Sequence, residues 1–266
     1  MHTASCDRPG MLTDCSHRIV LLVAAALLTS SLHAATLPDF EAIYAQKFGG
    51  LHIGTSTLTL TNGDNGSYLY ETRSQPDAWV SWFLKDRLHE SSRGVFTDTG
   101  IRPESYHYLR AGGSKTREAN LSFDWEAMTV INNVADSRWE MDIPVGTLDK
   151  LVSQLGVMLA LGSGETEMVF DIADGGKLKE YRFKLIGRET LEVPAGKFDT
   201  VKITRVRDDM SREILVWCAP ALSYLPVRIW RREPDDSKYQ SDLESFSESL
   251  LAKEPEVKNG GVKNGE

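Results

Sequence analysis

The sequence predicts a mainly β fold, an antiparallel meander forming a curved sheet or partly open barrel, with one amphipathic helix at about residues 147–161. Three observations lead there. From Phe40 onward apolar and polar residues alternate with a period of two, the rhythm of half-buried strands. Clusters of Gly, Asn, Asp and Pro break this alternation at short intervals and supply turns. A single stretch changes to the three- and four-residue spacing of a helix.

Taken in order, Phe40, Ala42 and Tyr44 alternate with Glu41, Ile43 and Ala45, and Gly49-Gly50 offers a tight turn. Leu51, Ile53, Thr55, Thr57 and Thr59 form a second strand rich in β-branched residues. The run "TNGDNG" at 61–66 tolerates positive φ and closes a hairpin onto a strand at 67–72. Strands at 87–96, 104–110, 117–123 and 128–134 follow, punctuated by Gly100, "AGGS" and "DWEA". In "TLDKLVSQLGVMLAL", residues Leu148, Leu151, Val152, Leu155, Met158 and Leu159 share one helical stripe. Thr147 is the expected N-cap, Asp149 sits where the helix dipole favours a negative charge, and Gly162 ends the pattern. Strands resume at 167–172, 179–191, 199–205, 212–217, 226–231 and 239–246. Pro194 and Gly196 make one turn between them, and "DIADGGK" at 171–177 is hairpin chemistry rather than a calcium loop. So many short strands must curl or close to hide their edges, with the helix over one mouth or in the concave face.

The ends are of a different kind. His17 and Arg18 precede an apolar run at 19–28 and the small residues Thr29, Ser30, Ser31 and Ala34, the plan of a cleavable export signal. Ten apolar residues are too few to span a bilayer. Cleavage is placed after Ala34, and Met11 is an alternative start. The expected organisation is a signal peptide at 1–34, one β-rich domain at 35–250 and a disordered tail at 251–266, the last for want of anything to bury. The chain carries a net charge of −8. Without a basic stripe, an acidic chain argues against nucleic acid and anionic lipid surfaces as partners. Export points to the periplasm. Cys6 and Cys15 leave with the leader, so Cys218 stands alone and is read as a buried small hydrophobe.

The densest stretch is "VWCAPALSYLPVRIW" at 216–230. Pro220 is expected to end one strand and Pro226 to begin the next, with Trp217, Tyr224 and Trp230 packing the core rather than lining a groove. The run formed by Trp217, Ala219, Pro220, Leu222, Tyr224, Leu225, Pro226 and Val227 resembles the terminal signature of the bacterial domain of unknown function 3108 family. "GRETLEVPAGKFDTVK" at 187–202, "RPESY" at 102–106, "FDW" at 123–125 and "LDKLVSQL" at 148–155 fit the same resemblance. It implies an exported protein of envelope-bearing bacteria with a β-rich fold and no established activity, and it transfers no catalytic residue.

Residues able to do chemistry are sparse. His52, His89 and His107 have no zinc-site spacing, and a lone cysteine excludes a thiolate cage, so neither metal nor cofactor is expected. There is no nucleophile elbow and no phosphate-binding glycine loop. Asp124, Glu126 and Glu140 lie near Trp125 and Trp139, as carboxylates do in sugar-cleaving clefts, but strand alternation explains them as a solvated face. No enzyme is expected. "DAWVSWFL" at 77–84 holds too many apolar groups for a plain surface loop. Either it packs under the sheet as a short helix, or Trp79, Trp82 and Phe83 form an apolar lip that shelters an acyl chain. The expected function is therefore a binding or carrier module for an apolar or amphipathic envelope component. The alternative is an envelope assembly module that holds a protein partner by its strand edges or by the surface around 228–232.

Overall fold

The computed structural model describes residues 36–82, 85–113, 115–134, 137–207 and 212–251; the expected leader and nearly all of the expected tail lie outside them. The meander opens with β1 (Phe40–Phe48), β2 (Leu51–Asn62), β3 (Ser67–Pro76), β4 (Arg87–Thr97) and β5 (Gly100–Ala111). It continues through β6 (Arg117–Asp124), β7 (Thr129–Val134), β8 (Ser137–Asp142) and β9 (Leu148–Asp149) to the helix α1 (Ser153–Gly162). Then follow β10 (Glu167–Asp174), β11 (Lys177–Val193), β12 (Gly196–Val206), β13 (Glu213–Ala219), β14 (Leu225–Arg232) and β15 (Lys238–Phe246). The mainly β, antiparallel, curved and unclosed sheet is the one the alternation predicts.

All strands belong to a single sheet with the order β8-β7-β6-β5-β4-β3-β2-β1-β15-β14-β13-β12-β11-β10-β9. Strand pairing is antiparallel and hairpin by hairpin except where β1 meets β15 and where β9 pairs in parallel with β10 across α1, so the first and last strands lie side by side in the middle. That seam is held at Asp242, which is 1% exposed and accepts hydrogen bonds from Lys47 (2.8 Å), Arg228 (2.5 Å) and Gln240 (2.7 Å). Burial pushes the Asp242 carboxyl up, but these donors outweigh it and hold the group below the usual range. The outer strands β8 and β9 are the free ends of the sheet. Neither was legible as a strand: β8 is mostly polar, and β9 is two residues in parallel register with Ile172 and Ala173.

Curling brings the ends together. The indole of Trp139 in β8 lies against the turn between β10 and β11, where a Cβ on Gly176 would stand 2.2 Å from a ring carbon. Gly175 and Gly176 both have positive φ, +58° and +84°, the two-residue hairpin chemistry expected of "ADGGK". Only Gly176 meets the ring; a Cβ on Gly175 would meet nothing closer than Lys179 Nζ at 3.7 Å. Gly175→Ala should cost about 1 kcal/mol of backbone strain, and Gly176→Ala about 2 kcal/mol more because the indole must move. Denaturant unfolding of the two variants checks this; equal losses would mean that Trp139 does not fasten the sheet's edge.

The concave face is filled. One apolar cluster runs from Phe40, Leu60 and Tyr70 in the first half of the sheet, through Leu151, Leu155 and Met158, to Leu225 and Leu243 in the second. A second cluster joins Val157, Ala160 and Leu161 of α1 to Met168, Val201, Ile203 and Cys218. The helix is therefore buried on both sides, which corrects the expectation of an amphipathic helix with a watery face. It is also shorter than expected. Residues 147–152 fold as β9 and a turn, Thr147 donates to the Pro144 carbonyl (2.8 Å), and Asp149 rather than Thr147 receives the free N–H groups ahead of the helix. Gly162 ends it as expected.

The dense stretch at 216–230 is a junction. β13 stops at Ala219, Pro220 opens one 3-10 turn, and Ser223 and Tyr224 take left-handed φ of 52° and 62°. Leu222, Leu225 and Val227 are fully buried, and Tyr44 donates to the Pro226 carbonyl at 2.8 Å. Trp217 is buried and donates from Nε1 to Glu189 at 2.6 Å, while Tyr224 and Trp230 pack against the large cluster. Core packing is the role these aromatics have. Cys218 is fully buried among apolar neighbours, and burial pushes its thiol up to about 12.

Candidate functional site

The loop between β3 and β4 carries the expected lip. Its backbone is a turn rather than a helix, with Val80 and Ser81 N–H both bonded to the Asp77 carbonyl at 3.0 and 2.9 Å. Of its described apolar residues only Val80 is buried, at 7% exposure; Trp79 is 53% exposed and Trp82 is 82% exposed. Phe83, the third expected lip residue, lies outside the described residues, as does Leu84. The loop is fastened at both roots. Asp77 N–H bonds to the Ile53 carbonyl (3.0 Å), its carboxylate meets His52 Nδ1 at 2.7 Å, and at the far root Arg110 Nε donates to Asp86 at 2.8 Å. Two indoles are thus presented to solvent from a clamped support. Leaving so much apolar area in water forgoes about 1.5–3 kcal/mol per side chain relative to full burial.

A cleft of about 530 Å³ opens on the outer face of β2 to β5 at the roots of this loop. Its walls include Thr55 and Thr57 on β2, Gln75 at the end of β3, Arg87 and His89 at the start of β4, and Leu109 on β5. These side chains point outward because the inward positions of the same strands, Leu58, Glu90 and Tyr106, are buried. Strand alternation thus assigns the polar rim and the apolar floor to one face, which is why neither residue type stands out in the sequence.

Inside the sheet lies a constellation that the sequence does not disclose. Asp149 is fully buried: its Oδ1 accepts from the N–H groups of Leu151 and Val152, both at 2.9 Å, and its Oδ2 accepts from Ser92 Oγ at 2.5 Å. Ser92 Oγ in turn accepts from the Tyr68 hydroxyl at 3.1 Å. Beside it, Tyr106 donates to Glu90 at 2.7 Å, and Lys150 approaches the other oxygen of Glu90 at 3.7 Å. Burial pushes the Asp149 carboxyl up to about 7, with the hydrogen bonds resisting. The tyrosines Tyr44, Tyr68, Tyr70 and Tyr106 are also raised, burial being the main cause. With no opening to solvent, this carboxyl acts on folding rather than on a solute. The one available signal was an Asp two and three residues ahead of buried-looking Leu151 and Val152, a helix-entry pattern.

The other candidates are placed separately. His89 and His107 sit on adjacent strands with ring centroids 6.1 Å apart, each tied to a carboxylate, Glu71 at 3.1 Å and Glu118 at 3.3 Å. Among the described residues no three His, Cys, Asp or Glu side chains converge to hold a metal ion. Asp124 accepts the N–H groups of Glu126 (3.0 Å) and Ala127 (2.9 Å) and so shapes a turn, while Glu126 and Glu140 are exposed. Trp125 stacks on Phe123 and donates to the Pro103 carbonyl at 2.6 Å. Around Arg228, Arg231 and Arg232 each guanidinium has a carboxylate: Asp242, Glu233 and Glu213. No described helix is long and apolar enough to cross a membrane.

Residues 40–244 match the family model of DUF3108, a protein family of unknown function. The chain belongs to that family. The match runs from the first residue of β1 to within two residues of the end of β15, so DUF3108 comprises the whole curled sheet with its buried helix. A β-barrel-like protein of DUF1849 from Brucella abortus shares this fold, with a TM-score of 0.54 at 10% identity, over 80% of this chain and 99% of that one. A lipoprotein candidate from Parabacteroides distasonis aligns at a TM-score of 0.29 and 11% identity, over 81% of this chain and 98% of that one. No protein of curated function matches the DUF3108 chain.

Proposed function

We propose that this DUF3108 protein is a non-enzymatic, exported binding module whose loop at 77–86 engages an apolar or amphipathic component of the cell envelope. The observation that supports it is the pair Trp79 and Trp82, exposed on a loop fastened at both roots, with a cleft of about 530 Å³ opening beside the strand ends that carry the loop. A clamped support lowers the ordering cost of binding, and two indoles supply the apolar area. The filled concave face leaves an acyl chain no room inside the sheet, so contact is made on the outer surface. The leader pattern ahead of Ala35 supports export to the periplasm.

Native mass spectrometry of the leader-free protein from its own host, with and without Trp79→Ala and Trp82→Ala together, tests this reading. The expected result is a co-purifying lipid mass on the parent protein and at least about a tenfold fall in loading for the double variant. The unfolding midpoint should stay within a degree or two, because neither indole is buried. Equal loading of both proteins, or a bare parent protein that also ignores phosphatidylethanolamine vesicles, would overturn it.

A further inference from the structure

We propose that a second, basic cleft, bounded by the β10–β11 hairpin, β12 and β13, binds a phosphate dianion, with Arg205 as its anchor. This site uses different residues from the tryptophan loop and stands or falls without it. The cleft measures about 800 Å³, within the usual range of small-ligand sites. Lys150, Lys179, Arg182, Arg205, Arg207, Arg212 and Arg231 line it, in a chain whose net charge is −8. So many like charges on one concave surface repel one another and focus a positive potential outward.

The carboxylates within reach do not cancel these cations. Asp174 takes Lys179 at 2.7 Å and the Tyr181 hydroxyl at 2.9 Å. Glu180 is paired with Arg182. Glu233 is shared between Arg212 and Arg231, and Lys150 approaches the buried Glu90 at 3.7 Å. The seven lining cations outnumber these four carboxylates, so the recess presents basic side chains suited to a phosphate dianion. A nucleic acid would need a stripe of charge along the surface, whereas this charge is confined to one recess.

Arg205 is the residue left over. Its guanidinium carbon sits over the Tyr181 ring, 3.2 Å from the centroid, and no carboxylate among the described residues pairs with it. Its Nε is buried without a hydrogen-bond partner. A half-desolvated guanidinium with an empty donor is costly unless an acceptor arrives, and a preoriented fork suits the oxygens of a phosphate. Tyr181 is itself fixed by Asp174, so the anchor is held from beneath.

The shared chemistry is a phosphate group, whether free or on a lipid headgroup, and the two sources separate in titration. The leader-free protein would be titrated with inorganic phosphate by calorimetry and mixed with vesicles containing phosphatidic acid. Saturable binding of inorganic phosphate supports a free-ion site. Binding only to the vesicles supports a headgroup site, provided it too depends on Arg205. Arg205→Met should weaken the observed binding at least about tenfold, and Arg205→Lys should fall between, since charge remains but the fork is lost. Arg231→Gln, at an exposed rim position, gives a second reading of several-fold weakening should Arg205→Met fail to fold. Lys184→Ala, whose partner Glu167 lies outside the cleft lining, should change nothing, nor should the double tryptophan variant. Neither probe binding the parent protein, or undiminished binding by both Arg205→Lys and Arg231→Gln, would overturn the proposal.

Discussion

Asp149→Asn is expected to stabilise the protein at pH 8 and to leave it unchanged at pH 4. The carboxyl is fully buried and raised to about 7, against an ordinary value of 3.8 in the unfolded chain. A raised folded value means that the folded state holds the proton more tightly. The stability this contributes is fully present below about pH 4 and is lost as pH rises through 7, a swing on the order of 4 kcal/mol. Asparagine keeps the oxygen that accepts from Leu151 and Val152 N–H, and its amide can donate to Ser92 Oγ, which is then free to turn its own proton to Tyr68. The charge is removed while the bonds remain. For a domain of this size the thermal midpoint of the variant should exceed the parent's by on the order of 10 °C at pH 8. Parallel curves for the two proteins between pH 4 and pH 8 would show that burial does not hold this carboxyl protonated.

Asp149 also marks where sequence reading stops. A period of two locates nearly every strand, because each run of β2, β4, β10 or β12 puts one face on the core and one in water. The same regularity hides the interior polar groups. Glu90 and Ser92 occupy inward positions of β4 that look no different from outward ones, since a buried carboxylate becomes visible only when its partners arrive from β5 and the turn before α1. β9 was lost because two residues carry no period, and β8 because its polar face dominates. The basic cleft escaped notice for a different reason: Lys150, Arg205 and Arg231 are 81 residues apart at the extremes (231 − 150) and average away in an acidic composition. Trp79 and Trp82 were legible because their apolar character conflicts with a turn, and such conflicts mark places that folding alone does not explain.

The helix offers the other large effect and the sharpest contrast with its own pattern. On the sequence stripe, Leu155 and Met158 face the core and Leu161 falls to the side, where truncation should be tolerated. In the folded protein Leu161 is 3% exposed and sits in the second cluster with Met168, Val201, Ile203 and Cys218. Leu161→Ala should therefore cost about 3 kcal/mol, close to the loss from Leu155→Ala, because each leaves a cavity that the surrounding strands cannot close. Against a total stability of about 5–15 kcal/mol, either change lowers the thermal midpoint by on the order of 10 °C. Leu159, partly buried at the edge of a smaller cleft, provides the internal control, and its alanine variant should lose less than half as much. A helix that merely capped the mouth of the sheet would give the reverse order, with Leu155 and Leu159 costly and Leu161 silent. The ranking of these three midpoints thus decides whether α1 is a lid or the central strut on which both halves of the sheet are wound.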